Sequence, residues 1–379
     1  MQFTDNLRRF IKEDPGRQSI SGSFNPIDEG EWGETAYIQA TARFFGAISR
    51  NDVLAVKQMI EDGEDLNRRD HVGRTPLHVA ILSDSVEVCC ALIDAGARMT
   101  ARLVGGRTCL HLAAQMGQDT LMQKLLKRSA YNKERAEEKR KMEEAASADE
   151  TESVRMNSED DWSSEESDDE NPRRKPPAYV KIEEPEKDSD PLGDNEDEPD
   201  ILDISIHDWD LGLTALGYGI LSGSLEVVDA LLSVGADPSF VAHAKNVNPL
   251  HPLSLTIYTQ DEERAAKIAE RLIASGAISS MADASLFTVF HRIVAAGKTK
   301  IVASLLELDP NAKKVLNIPA WYCFWLVFPI VSTIEGGDYA TLSVLLAHGA
   351  KLSYSLEEIS RADEKRYREL FFVKPEDLD

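Results

Sequence analysis

The stretch Asp70–Ala97, DHVGRTPLHVAILSDSVEVCCALIDAGA, decides how this chain folds. Thr75 can accept a hydrogen bond from the first free amides of a helix, and Pro76 suits the first helical position, where its missing N–H costs nothing. A helix is expected to start there. Leu77, Ala80 and Ile81 fall on one face of it, and Val88, Leu92 and Ile93 give a second helix its apolar stripe before Gly96 ends it. Such a pair is too small to bury both stripes alone, so it needs neighbours.

The neighbours are in the sequence. GGRTCLHLAAQMGQDTLMQKLL, from Gly105, repeats the pattern, and one interval relates Gly73 to Gly106, Thr75 to Thr108 and His78 to His111. Gly63, the same interval before Gly96, closes a weaker copy, FFGAISRNDVLAVKQMIEDGED. Downstream, in DWDLGLTALGYGILSGSLEVVDALLSVGADP, a single longer offset carries both Thr75 onto Thr214 and Gly96 onto Gly235. NPLHPLSL (Asn248–Leu255), closing on RLIASGA, TVFHRIVAAGKTKIVASLLELDP (Thr288–Pro310) and FPIVSTIEGGDYATLSVLLAHGA (Phe328–Ala350) make seven candidate units. A fixed period of this length marks a repeat architecture.

The pattern DxxGRTPLHxA followed by VxxLLxxGA closely resembles the ankyrin repeat family. The resemblance implies an all-α solenoid of antiparallel helix pairs joined by β-hairpin-like fingers. It divides the chain into an N-terminal extension or cap over 1–40, repeats one to three over 41–129, an insert over 130–207, repeats four to seven over 208–352 and a helical tail over 353–379. Unit one lacks the Thr-Pro-Leu-His opening, as a terminal unit would. In this family partners are gripped by the fingers and the adjoining first-helix face. The fingers are expected near 64–74, 97–107, 236–248, 277–287 and 309–327.

Charge is concentrated. Of the formal net −24, 18 units lie between Glu143 and Asp203, where 24 acidic side chains meet 6 basic ones. Such a chain is a poor general nucleic-acid binder, since phosphate contact needs clustered Lys and Arg. Protein partners are expected instead, basic ones included, with no nucleic acid and no membrane, and a monomer or a subunit of a complex. Cys89, Cys90, Cys109 and Cys323 have neither metal-ligand nor disulfide-framework spacing, and MQFTDNLRRFIKEDPG has no apolar core of a leader. A reduced intracellular protein is expected, without metal or cofactor. The uncharged run Ile318–Ile334 is short for a membrane span and carries Pro319 and Pro329. His78, His111, His251 and His291 recur at one slot in separate repeats, which suits local bracing better than catalysis. With no phosphate loop, HExxH or Gly-x-Ser-x-Gly elbow, no catalysis is expected.

Two surfaces are candidates for binding. Arg68, Arg69, Arg98 and Arg102, with Arg74 and Arg107, make the early fingers basic. They could receive an acidic peptide, this chain's own insert among the options, or simply pair with Glu64, Asp65 and Asp70. Trp321, Tyr322, Phe324 and Trp325 crowd one long finger, and aromatic anchors dominate interface energetics. The insert begins with YNKERAEEKRKMEEAA, a charged extension of the preceding helix, and continues too poor in apolar residues to offset ordering entropy. It is expected to be disordered. Ser158, Ser163 and Ser167 each have an acid three residues on, as at casein kinase 2 sites. Lys181 lies in Val-Lys-Ile-Glu, the pattern of SUMO attachment. Ile201, Leu202 and Ile204 resemble a SUMO-interacting strand or else lead into unit four. With Pro172-Arg173-Arg174-Lys175, these favour the nucleus over the cytoplasm. The sequence thus points to a non-catalytic protein-interaction scaffold. Its alternatives are an acidic chaperone or binder of basic proteins such as histones, and the N-terminal regulatory region of a larger enzyme.

Overall fold

A computed structural model describes residues 35–155, 192–194, 198–242, 250–282, 287–322 and 325–351. Helices follow one another in antiparallel pairs. Repeat one is α1 (Thr35–Ser49) and α2 (Val53–Glu61), repeat two α3 (Pro76–Leu82) and α4 (Val86–Ala95), and repeat three α5 (Cys109–Met116) and α6 (Asp119–Arg155). Repeat four is α7 (Ala215–Ser222) and α8 (Leu225–Ser233). Repeat five is α9 (Pro252–Leu255), running into a 3-10 turn, and α10 (Glu262–Ala274). Repeat six is α11 (Val289–Ala295) and α12 (Thr299–Leu308), followed by the short α13 (Pro310–Val315) and the strands β1 (Ala320–Tyr322) and β2 (Trp325–Val327). Repeat seven is α14 (Pro329–Glu335) and α15 (Tyr339–Ala347). The first helix begins at Thr35, earlier than the repeat pattern itself, because residues ahead of Phe44 continue the same turn.

First helices pack on first helices and second on second along the whole series, α5 on α7 and α6 on α8 included. Repeats three and four are therefore neighbours in space although the whole insert lies between them in sequence. One apolar core runs from Phe44 through Leu77, Leu92, Leu112, Leu216, Ile268 and Leu305 to Leu345. Arg102↔Thr108, His207↔Thr214, Ala242↔Leu250 and Ala282↔Thr288 are antiparallel bridges, so the connections between repeats are hairpin fingers. β1 and β2 pair in a longer one, Trp321 opposite Leu326 and Tyr322 opposite Trp325. The apolar run from Ile318 goes into this hairpin and α14, and no helix among the described residues is long and apolar enough to cross a membrane.

Thr75 and Thr108 start their helices by a reciprocal arrangement. Each backbone N–H donates to Nδ1 of the histidine three residues on, at 3.2 Å in both cases, while the hydroxyl faces the helix it caps. With Nδ1 accepting, the imidazole carries its proton on Nε2 and reaches a carbonyl of the next finger: Ala101 for His78, and Ile206 at 3.1 Å for His111. His291 does the same to Ile318, at 2.8 Å. His251 departs from the common slot that the sequence suggests. Pro252, fixed at the first helical position, makes His251 the N-cap, the place Thr75 holds in repeat two.

Repeat three lacks the turn that closes most of the others. Repeats one, two, four, five and seven close on Gly63, Gly96, Gly235, Gly276 and Gly349, all at positive φ, the conformation that turns a chain out of a helix. Repeat three has Ser129 in that place, one period after Gly96, and α6 runs on to Arg155. The buried Ser129 hydroxyl instead accepts the N–H of Leu202, at 2.9 Å, where the chain comes back. Ser129→Ala should leave that buried N–H unpaired and lower stability by about 1–2 kcal/mol in urea titration. An unchanged midpoint would mean that water takes the place of the hydroxyl.

Candidate functional site

The fingers of repeats one to three form the best-defined polar surface. The cation at each position settles on a different partner. Arg74 pairs with Asp70 of its own turn at 2.8 Å, and Arg68 with Glu64 at 3.3 Å, the local pairing expected of surface arginines. Arg69 and Arg98 do something else. The Arg69 guanidinium meets the Asp194 carboxylate with two parallel bonds, Nε at 2.8 Å and Nη2 at 2.6 Å, a fork geometry suited to carboxylates. Its Nη1 is held by the carbonyls of Gly73 and Arg102, so the fork is set by the fingers themselves.

Arg98 is almost fully buried, its N–H fixed by the Asn67 amide oxygen at 2.9 Å. Its Nε donates to the Gly193 carbonyl at 2.6 Å and its two terminal nitrogens to the Glu198 carbonyl at 3.3 Å. The next two amides, Met99 and Thr100, both point at Oδ1 of Asp200 at 2.9 Å, and the Arg102 N–H donates to the Leu192 carbonyl at 2.8 Å. Asn132, on α6, donates to the carbonyl of Asp200 at 2.8 Å. Two pieces of the insert, Leu192–Asp194 and Glu198–Leu202, are thus laid along the second finger by an arginine fork, a buried arginine and a pair of convergent amides.

Gly193 fits this path for a steric reason. Its φ is +67, and a Cβ built there would lie 2.5 Å from the Thr100 carbonyl oxygen. Arg102, one repeat after Arg69, makes no such fork. Its guanidinium lies over the Trp209 ring at 5.9 Å, a cation–π distance, and the field of Asp203 partly offsets the effect of its burial. The Trp209 backbone N–H donates to the Gly105 carbonyl at 2.9 Å, which ties the lead-in of repeat four to the second finger.

The remaining sequence candidates fall elsewhere. Leu202 is buried in the repeat core and Ile204 packs against it, with Ile201 half-buried beside them, so a strand-adding partner would have to draw Leu202 out of the fold. Trp321, Tyr322 and Trp325 lie in the β1–β2 hairpin, while Phe324 lies outside the described residues. Ser158, Ser163, Ser167 and Lys181 also lie outside them. Residues that sequence reasoning passed over are Gly193, Asp194, Asp200, Ser129 and Asn132. The last two were visible in principle, as a serine in a glycine slot and an amide one turn from it. The acids are indistinguishable by sequence from the many around them.

A family model described as ankyrin repeats, in three copies, matches residues 44–137. Residues 44–137 are ankyrin repeats. Over 77 residues it is 40% identical to diacylglycerol kinase zeta of Rattus norvegicus, covering 20% of this chain and 8% of that one. Over 62 residues it is 36% identical to NF-kappa-B inhibitor alpha of Gallus gallus, covering 16% and 20%. The chain therefore spans a fifth or less of the length of these relatives, and the shared part is the ankyrin repeats. Among solved structures, the ankyrin repeat domain of Bcl-3 aligns over 80% of this chain and 97% of its own, at 18% identity and a TM-score of 0.49. The human ASB11 ankyrin repeat domain aligns over 82% and 99%, at 14% identity and the same TM-score. Ankyrin repeats are a protein–protein interaction module, and the polar finger surface is where this one has the most directed groups.

Proposed function

We propose that this chain is a non-catalytic interaction scaffold of the nucleus, docking a protein partner on the fingers of its ankyrin repeats and regulated through its acidic insert. The observation that carries the proposal is the surface of the first two fingers, where Arg69, Arg98 and the amides of Met99 and Thr100 converge on Gly193, Asp194 and Asp200 of the returning chain. Groups so arranged recognise main-chain carbonyls and carboxylates together, which is what docking a peptide segment requires. Ser158, Ser163, Ser167 and Lys181 are the proposed points of phosphorylation and SUMO attachment, and the β1–β2 finger with Trp321 and Trp325 is the proposed aromatic contact.

The test is cross-linked affinity capture with the wild type, Arg69→Ala/Arg98→Ala and Trp321→Ala/Trp325→Ala, with folding checked by circular dichroism. At least one pair should lose a partner that the wild type retains. Identical partners for all three would sink docking through the fingers. A second reading draws on the 18 excess negative charges between Glu143 and Asp203. In it the insert itself holds a basic protein and the repeats serve as platform. Removing residues 156–190 should then abolish the partner and its salt dependence, whereas a scaffold that docks through its fingers keeps both.

A further inference from the structure

The contacts of the returning insert change character at one point. From Leu202 onward the chain is committed to the apolar core and to Ser129. Before it, the described residues hold on by polar contacts. Asp194, Glu198 and Pro199 are exposed, and Leu192, Gly193 and Asp200 are half-buried. One partly exposed ion pair and a set of hydrogen bonds hold these residues, with none of their side chains in the apolar core, so such a strap is reversible in a way that the core is not. Its other end joins α6 through residues 156–191, so lifting it away requires none of the described helices to unpack.

The surface beneath is specific even so. It reads a carboxylate at one position with a guanidinium fork and a second, six residues on, with two amides. It also takes the carbonyls of residues 192 and 193, just before the first acid, and of residue 198, between the two, and it admits only glycine just ahead of the first acid. The groups that do this are fixed by the repeats: Arg69 by the carbonyls of Gly73 and Arg102, and Arg98 through Asn67.

We propose that the Arg69–Arg98 surface is a binding site for an acidic peptide of a partner protein, with two carboxylates six residues apart, and that Leu192–Asp194 together with Glu198–Asp200 is its built-in occupant. The tether gives the strap an effective concentration on the order of millimolar, so a partner must bind more tightly than that or engage a second surface to displace it. The insert then sets the threshold for docking. This inference rests on the scaffold reading, to which it adds the chemistry of the partner.

The test uses the full chain and a fluorescent peptide of the sequence Asp190–Leu202, DPLGDNEDEPDIL, followed by anisotropy at low salt. Two independent changes should lift the strap: Gly193→Ala, which leaves every charge in place, and Asp194→Asn/Asp200→Asn. Both opened chains should bind the peptide at least about tenfold more tightly than the wild type. Adding Arg69→Ala/Arg98→Ala to the Gly193→Ala chain should remove that gain, and a peptide carrying Asp194→Asn/Asp200→Asn should not bind. The proposal is overturned if folded opened chains bind the peptide no better than the wild type does. It is equally overturned if the arginine changes leave binding intact, or if lifting the strap unfolds repeats two and three, which would make the strap a structural part. A chain that fails here yet still loses a partner on Trp321→Ala/Trp325→Ala keeps its standing as a scaffold.

Discussion

Asp208→Ala is expected to lower the unfolding free energy by about 3–5 kcal/mol, more than an ordinary surface change can, because it strips several buried donors of one acceptor. The side chain is 1% exposed. Its Oδ1 accepts the N–H groups of Leu211 and Gly212 at 2.7 Å, with Leu213 further off at 3.4 Å, and its Oδ2 accepts the hydroxyl of Tyr218. Tyr218 is itself buried, its ring edge-on to His111 at 5.8 Å, and burial together with the Asp208 charge raises its phenol well above the usual range. Alanine would leave those amides and the phenol without a partner at the joint between repeats three and four. Because repeat stacks are stabilised by neighbour interfaces, the loss should also weaken the coupling across that joint. Urea unfolding followed by circular dichroism should show a lower midpoint and a broadened or split transition. A single transition shifted by less than about 1 kcal/mol would mean that the joint does not depend on this carboxylate. Tyr218→Phe, which removes one hydroxyl and leaves the amides served, should cost only about 1 kcal/mol.

The second large effect is a loss of stability in mild acid. Burial, reinforced by the charge of Arg69, pushes His78 down to about 3, with Arg74 and Arg107 adding to it. Burial pushes His111 down to about 4, Asp208 pulling the other way while Arg102 and Arg107 add to the fall. The hydrogen bonds agree with the direction, since Nδ1 of each ring receives a backbone N–H and has no room for a proton of its own. In the unfolded chain both histidines titrate near about 6.5. Between that value and the folded ones the unfolded state binds more protons, so stability is full above about pH 7 and falls as the pH drops. For two such groups the loss between pH 7 and pH 5 is about 3–4 kcal/mol, before most carboxylates begin to titrate. Urea midpoints measured across that range check it. A flat profile would show that the rings take up protons within the fold, and His111→Gln should reduce the slope by roughly half.

Much of this architecture could be read from Asp70–Ala97 alone. Thr-Pro-Leu-His fixes a helix start, a buried stripe and a brace to the next finger within four residues, and local geometry of that kind survives translation from sequence to structure. The fingers and the stacking across the insert followed from period and register. Less was legible where one residue's role depends on a distant one. Ser129 stands out only as a serine in a glycine slot, and its role is hidden until Leu202 is seen to donate to it. His251 looks like its three counterparts until Pro252 moves the helix start. Asp194 and Asp200 are two acids among many, and their importance comes from Arg69 and from the amides of Met99 and Thr100, which no local pattern announces. The arginines were recognisable as a group, but only the fold separates Arg68 and Arg74, which pair within their own turns, from Arg69 and Arg98, which hold the insert.

The length of α6 sets distances that matter for anything bound to the insert. Beyond Arg128 it continues to Arg155, which at about 1.5 Å per residue carries the chain about 40 Å along the helix axis. The stretch from there to Leu192 can span roughly 100 Å or more when extended, enough slack to return to the fingers without pulling on the strap. The helix acts as a boom. The far end of this helix stands about 40 Å from Arg128 while remaining on the same covalent line as the segment that occupies the fingers.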